Sequence, residues 1–212
     1  MRSTYLMAGV IVLALVAAGV LFATNFFQSV PLVLSGSEEA ALVKNMSDRV
    51  AGVGFARTFT QKDMKDWHLT GGHRLERLAI DRSGTVSARF YSSVPLDTTQ
   101  FLEGLYLELP AEFRQASNGR KIEIGIVARA TSARGSDAFS TIYLTRQAGN
   151  SGWRRYPVSS RFELQTFTFN VPRVEAGYLE NPFLVIHADA SGQGRGIELL
   201  GAYVKILPAA GH

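Results

Sequence analysis

The sequence predicts an all-β fold: a two-sheet sandwich preceded by one transmembrane helix and a short amphipathic helix. Three observations carry that reading. Residues 5–27, YLMAGVIVLALVAAGVLFATNFF, contain no charged side chain. Ile122, Ile124 and Ile126 alternate with Lys121, Glu123 and Gly125, the period-two signature of a strand with one buried face. Similar short runs recur along the rest of the chain between turn residues, and many short strands in a chain of this size pack as two sheets.

The N-terminal elements follow from charge and length. No charge occurs between Arg2 and Glu38. At a rise of about 1.5 Å per residue, about 20 residues cross the hydrocarbon layer of a bilayer, so residues 5–27 are expected to span once. Arg2 precedes the span and no charge follows it closely. The positive-inside tendency therefore puts residues 1–4 in the cytoplasm and the main domain in the periplasm of a bacterial inner-membrane protein. A cleaved signal peptide is the rival reading; the length of the run and its bulky end at Phe26 and Phe27 favour the uncleaved anchor. Gly9, Ala14, Ala17 and Ala18 narrow the span and are candidates for packing on another membrane helix. Phe26, Phe27, Leu32 and Leu34 are candidates for juxtamembrane contact. Residues 28–51 read as a linker and a short helix from Ser35 to Val50. Ser35 and Glu38 form a capping box there, and Leu42, Val43, Met46 and Val50 recur at helical spacing.

Residues 52–207 read as the sandwich. Strands are expected at Arg77–Ile80, Thr85–Tyr91, Leu105–Leu109, around Ile122–Ile126, and at Ala138–Thr145, Phe162–Phe169, Pro182–Ala188 and Gly196–Leu207. Asp81-Arg82-Ser83-Gly84 has the turn chemistry to join the first two as a hairpin. Two strands change phase: Phe162 and Leu164 against Phe167 and Phe169, and Ile197 and Leu199 against Leu200, Ala202 and Val204. One extra residue in each strand, a β-bulge, restores both patterns. Residues 208–212 are a short tail.

The run of FLEGLYLEL, KIEIGIVARA, AFSTIYLTR, SGWRRYPVSSRFELQTFTFNVP and NPFLVIHADASGQGRGIELLGAYVKI resembles the jelly-roll sandwiches of carbohydrate-binding modules and galactose-binding-like domains. The likeness is carried by Gly152 and Trp153, by a Phe-rich strand ending in Val171-Pro172, and by the final strand. It covers roughly Phe101 to Leu207 and implies a jelly roll whose relatives bind glycans, proteins or membranes. It brings no binding site to particular residues here. It also implies a buried aromatic at Trp153.

Composition removes several chemistries. There is no cysteine, which excludes disulfides, a thiol nucleophile and Cys-ligated metal. Lys and Arg exceed Asp and Glu by 22 to 18, but the excess is scattered, so nucleic acid is not an expected partner. No acid-rich calcium loop and no hydrolase or metal motif is legible, and no enzyme activity or cofactor is expected. The ligand candidates are Trp67, His68, Arg154, Tyr156 and Tyr178, aromatic platforms and donors of the kind that hold sugars. His187 with Asp189, His73, and the Gly192–Gly196 loop are read as structural, the last as a tight hairpin. The expected function is a non-catalytic accessory or scaffold subunit docking on a larger integral-membrane complex. The alternative is a membrane-tethered glycan-binding module.

Overall fold

The computed structural model describes residues 36–50, 54–79, 86–145, 149–175 and 180–208. The expected span at 5–27, its packing residues Gly9, Ala14, Ala17 and Ala18, and the contact residues Phe26, Phe27, Leu32 and Leu34 lie outside them. So do Tyr178 and the turn at 81–84.

The described elements are helix α1 (Gly36–Arg49), β1 (Gly54–Thr58), a 3-10 turn (Met64–Asp66), β2 (Trp67–Leu69), β3 (His73–Ala79) and β4 (Val86–Ser92). There follow β5 (Leu105–Glu108), helix α2 (Ala111–Ser117), β6 (Lys121–Ala130), β7 (Ala138–Thr145) and β8 (Gly149–Asn150). The chain closes with β9 (Arg154–Pro157), β10 (Glu163–Asn170), β11 (Phe183–His187) and β12 (Arg195–Ile206). Among the described residues these strands make two antiparallel sheets. The first has the order β10-β6-β12-β4-β3, with β1 beside the far half of β12. The second has the order β2-β5-β11-β7, continued by β8 and β9. Between them lies a core that includes Phe59, Trp67, Phe90, Leu105, Leu107, Ile122, Ile124, Phe139, Tyr143, Leu184 and Ile186.

The first sheet is apolar on both faces, which explains the phase changes. The bulge in β12 is where the alternation places it, at a register shift between Leu199 and Gly201. It separates the half of β12 paired with β4 from the half paired with β1. In β10, however, the register with β6 runs unbroken from Glu163 to Asn170, so the expected bulge there is corrected. Phe167 belongs to the inter-sheet core, with Phe169 packed against it, whereas Phe162 belongs to a separate cluster with Met46, Val127, Leu200 and Tyr203, with Leu164 against that. A strand with apolar residues facing both ways changes phase without an inserted residue.

What covers that outer face is α1. Met46 is fully buried, and Leu42, Val43 and Val50 pack around it. Two glycines make the space. The Tyr203 ring lies where a side chain on Gly125 would stand, and the Met46 methyl does the same at Gly201. The margin is tied by polar contacts: Tyr203 donates to Glu123 at 2.5 Å, and Glu123 also pairs with Lys205 at 3.2 Å and Arg49 at 3.5 Å. The helix thus forms one compact unit with the sandwich, Gly36–His212. The expectation of a juxtamembrane amphipathic helix preceding the domain is corrected to a helix that closes a sheet face, and its apolar stripe is buried against strands. Among the described residues no helix is long and apolar enough to cross a membrane.

The Gly192–Gly196 loop is likewise not a hairpin. It carries the chain from β11 in the second sheet to β12 in the first. The Asp189 carboxylate, buried beneath it, accepts from the Ser191 amide and hydroxyl and from the amides of Gln193 and Arg195. Burial alone would raise the Asp189 pKa, but these bonds outweigh it and hold it below the usual carboxylate range. With those amides engaged inside the loop, they are not offered to an external anion.

Candidate functional site

Among the described residues no helix contributes to the apolar cluster on the outer face of the second sheet. Period-two alternation sends Trp67, Leu105, Leu107, Leu184 and Ile186 inward, and therefore His68, Tyr106, Phe183, Val185, Ile142 and Leu144 outward. Cross-strand pairing sets these in rows. His68 stands opposite Tyr106, Tyr106 opposite Val185, and Val185 opposite Ile142. One step along, Glu108 is opposite Phe183, Phe183 opposite Leu144, and Leu144 opposite Asn150. The His68 and Tyr106 rings stack at 5.1 Å, and Tyr106 meets Phe183 edge-on at 5.9 Å. Phe101, Leu102 and Trp153 pack on the same apolar cluster.

Two loops raise walls on this floor. One follows β4: Asp97 accepts from the amide and hydroxyl of Thr99 and from the Gln100 side chain, fixing the turn that presents Gln100, Phe101 and Leu102. Its return is clamped by Thr70, whose hydroxyl accepts from the Gly104 amide at 2.8 Å. Gly104 has φ 137° and lies so close to the Ile186 carbonyl that a side chain would collide with it. The second wall is the β7–β9 region, where the Asn150 side-chain oxygen accepts from the Gly152 amide and Ser151 accepts from the Tyr143 amide. Between the walls is a depression of about 700 Å³ lined by Thr70, Gln100, Phe101, Leu102, Leu144 and Asn150 among others. Phe101, Leu102 and Leu144 give this depression apolar lining and Thr70, Gln100 and Asn150 give it hydroxyl and amide groups, a combination that can meet the two faces of a sugar ring. The Trp153 indole N–H is enclosed without an acceptor, a donor of the kind that ordinarily finds a partner.

The residues singled out in the sequence separate on this frame. Trp67 is in the core, stacked on Phe59 at 4.7 Å with its indole N–H donating to the Thr58 carbonyl at 2.8 Å. Tyr156 closes the core edge against Phe139 and Phe167, and burial raises its pKa. Arg154 lies over the Phe167 ring at 5.1 Å, on the same inner side. His68 alone of the described candidates reaches the open face. Trp153, which the resemblance places in the core, instead packs half-buried on the outer cluster. Tyr106, Phe101, Leu102 and Phe183 were missed. Tyr106 had a readable signal, since it alternates with Leu105 and Leu107 and so faces away from them.

His73 and His187 come together from distant segments, ring centroids 5.2 Å apart. His187 is fully buried, and neither ring nitrogen has a hydrogen bond of normal geometry. Burial and the neighbouring His73 depress its pKa to about 4, against the opposing pull of Asp189 and the Val94 backbone. His73 is also lowered by burial, and its Nδ1 lies 3.1 Å from the Ser92 hydroxyl. Among the described residues no group of three or more His, Cys, Asp or Glu side chains is placed to hold a metal, and no catalytic constellation is assembled.

No protein-family model and no curated protein matches the chain. Solved structures do. The CBM22-1 xylan-binding domain from Paenibacillus barcinonensis Xyn10C is similar over 76% of this chain and 99% of that one, with a TM-score of 0.52 at 14% identity. The N-terminal CBM22-1–CBM22-2 tandem domain of the same protein is similar over 77% of this chain at a TM-score of 0.54 and 13% identity. This chain covers 47% of that tandem, about half its length. At such identities the likeness is one of fold: a carbohydrate-binding-module-like jelly roll. The expected fold and function are corrected accordingly. A subunit docking on an integral-membrane complex, with the lipid bilayer as partner and the inner membrane as location, rested on residues 5–34. The described domain has no membrane-crossing helix, and its fold is shared with a carbohydrate-binding domain.

Proposed function

We propose that the domain is a non-catalytic carbohydrate-binding module that holds a polysaccharide on the outer face of its second sheet. The observation that carries this reading is the groove itself. Phe101, Leu102 and Leu144 line it beside Gln100, Thr70 and Asn150, and Tyr106 and Trp153 pack on the same outer apolar cluster. The similar solved domain is described as xylan-binding, which makes xylan the first polysaccharide to try.

Affinity electrophoresis in gels containing xylan or soluble β-glucans tests it, followed by calorimetry with the best ligand. Tyr106→Ala and Trp153→Ala are expected to weaken binding by about tenfold or more each, equivalent to about 1.4 kcal/mol, with melting behaviour retained. Unretarded migration of the wild-type domain in every polysaccharide would overturn the proposal. Trp67→Phe serves as a counter-test. It removes the bond to the Thr58 carbonyl, and is expected to lower stability by about 1 kcal/mol while leaving binding unchanged.

A further inference from the structure

Among the described residues that line the groove, Glu103 is the one that carries a charge. It is half-buried beside Leu102, and among the described residues no hydrogen bond or ion pair engages its carboxylate. Other carboxylates of the domain are held. Glu108 accepts from Asn181, Glu123 from Tyr203 and Lys205, and Glu198 from Ser87 and Arg129. A partly desolvated carboxylate left without a donor is therefore a departure within this molecule.

The backbone fixes where Glu103 stands. At the next residue the Gly104 amide donates to the Thr70 hydroxyl at 2.8 Å, and the Gly104 carbonyl accepts from the Thr70 amide at 3.1 Å. The wall that carries it is acidic as a whole. Residues 93–104 contain Asp97 and Glu103 and no Lys or Arg. Asp97 stays ionised, since the bonds from the Thr99 hydroxyl and amide hold its pKa below the usual carboxylate range. Residues 146–148 of the facing wall, Arg146 among them, lie outside the described residues.

An ionised carboxylate accepts hydrogen bonds and donates none. Hydroxyls of an uncharged sugar can donate to Glu103 and supply the partner that the protein withholds. The carboxylate of an acidic sugar has no proton to give, and it brings a like charge into a groove where water screens less than in bulk. Discrimination of this kind comes from the penalty placed on the wrong partner.

We infer that Glu103 sets the charge selectivity of the groove: it admits polysaccharides whose sugars are uncharged and rejects those that bear carboxylates. This rests on the glycan-binding reading of the same groove. The direction runs against the molecule as a whole, whose formal net charge of +4 would by itself draw an acidic chain.

Affinity electrophoresis of the full chain tests it, comparing a glucuronate-substituted xylan with the same xylan after reduction of its carboxyl groups to alcohols. If neither retards the chain, a soluble β-glucan and its form oxidised to carboxylates at the primary alcohols take their place. The uncharged member is expected to bind about tenfold more tightly, and the ratio to shrink as salt is raised. In Glu103→Gln the ratio falls to within about twofold of equality. Glu38→Gln, which removes a negative charge from the exposed side of α1, leaves the ratio in place. Equal affinities in the wild type, a preference for the acidic member, or a ratio that survives Glu103→Gln overturns the selectivity and leaves the groove standing. So does a ratio that Glu38→Gln abolishes equally. No retention by any polysaccharide overturns the groove reading itself. Should Glu103→Gln melt early, Glu103→Ser is read in the same way.

Discussion

Met46→Ala is expected to destabilise the domain by about 2–4 kcal/mol, the usual range for truncating a fully buried long aliphatic side chain without collapse of the site. Met46 sits at the centre of the second apolar cluster, against Val127, Phe162, Leu200 and Tyr203, and its methyl occupies the space over Gly201. Truncation empties that space and weakens the docking of α1 on the outer face of the first sheet. The exposed apolar face then adds a solubility cost to the stability cost. Urea unfolding at neutral pH measures this, with the midpoint expected to fall at unchanged slope. A loss below about 0.5 kcal/mol, the range of ordinary surface substitutions, would mean that α1 does not dock as described. Leu69, 41% exposed on β2, is the matched apolar control and is expected to stay within that smaller range when changed to Ala.

Acid should destabilise the protein well above the carboxylate range, and His187 is the reason. Its folded pKa of about 4 lies below the ordinary histidine value, so the unfolded chain binds the proton more readily than the folded one. The sign follows: the contribution is fully present above about pH 6.5, declines as pH falls, and is gone once pH passes through about 4. The full swing is between about 3 and 4 kcal/mol at most, taking roughly 1.4 kcal/mol for each pH unit of displacement. His73, also depressed by burial, acts in the same direction. Asp189, held low by its loop bonds, loses its contribution only below its own ordinary value near pH 4, so the two effects follow one another as acid is added. Urea unfolding at a series of pH values from 7.5 to 4.5 should show the decline. In His187→Phe, which keeps a planar ring and has no titrating nitrogen, most of it should vanish. An unchanged pH dependence in that variant would place the acid sensitivity elsewhere. The consequence would reach the groove, because Ser92, which contacts His73 and accepts from the Ala188 amide, is where the first wall loop begins.

β6 was legible because Ile122, Ile124 and Ile126 alternate with Lys121, Glu123 and Gly125. β7 and β11 are buried along their whole length, so no alternation marks one face of them, and β3 pairs with β4 in one unbroken register. The helix at Gly36–Arg49 was legible from its three- and four-residue spacing. The candidate site was legible only in His68. Trp67 and Trp153 exchanged places between expectation and structure. The register of β2 with β5 turns Trp67 inward, whereas Trp153 lies in the link between β8 and β9, outside any strand, where alternation says nothing about the side it packs on.

Periodicity and composition were enough for the two-sheet, all-β character of the described domain and for the lack of thiol chemistry, but not for the transmembrane and juxtamembrane helices expected ahead of it. Short-range periodicity marks strands, and a chain without cysteine cannot supply thiolate ligands or a thiol nucleophile. Which apolar faces are covered, and by what, follows from how distant segments pack. Among the described residues there are three apolar clusters: one between the sheets, one beneath α1, and one across the second sheet, partly walled by loops. Period-two alternation separates the two sides of a strand but does not say what lies over either side. That depends on long-range pairing, which here brings α1 onto β12 and leaves Tyr106 facing outward across the groove.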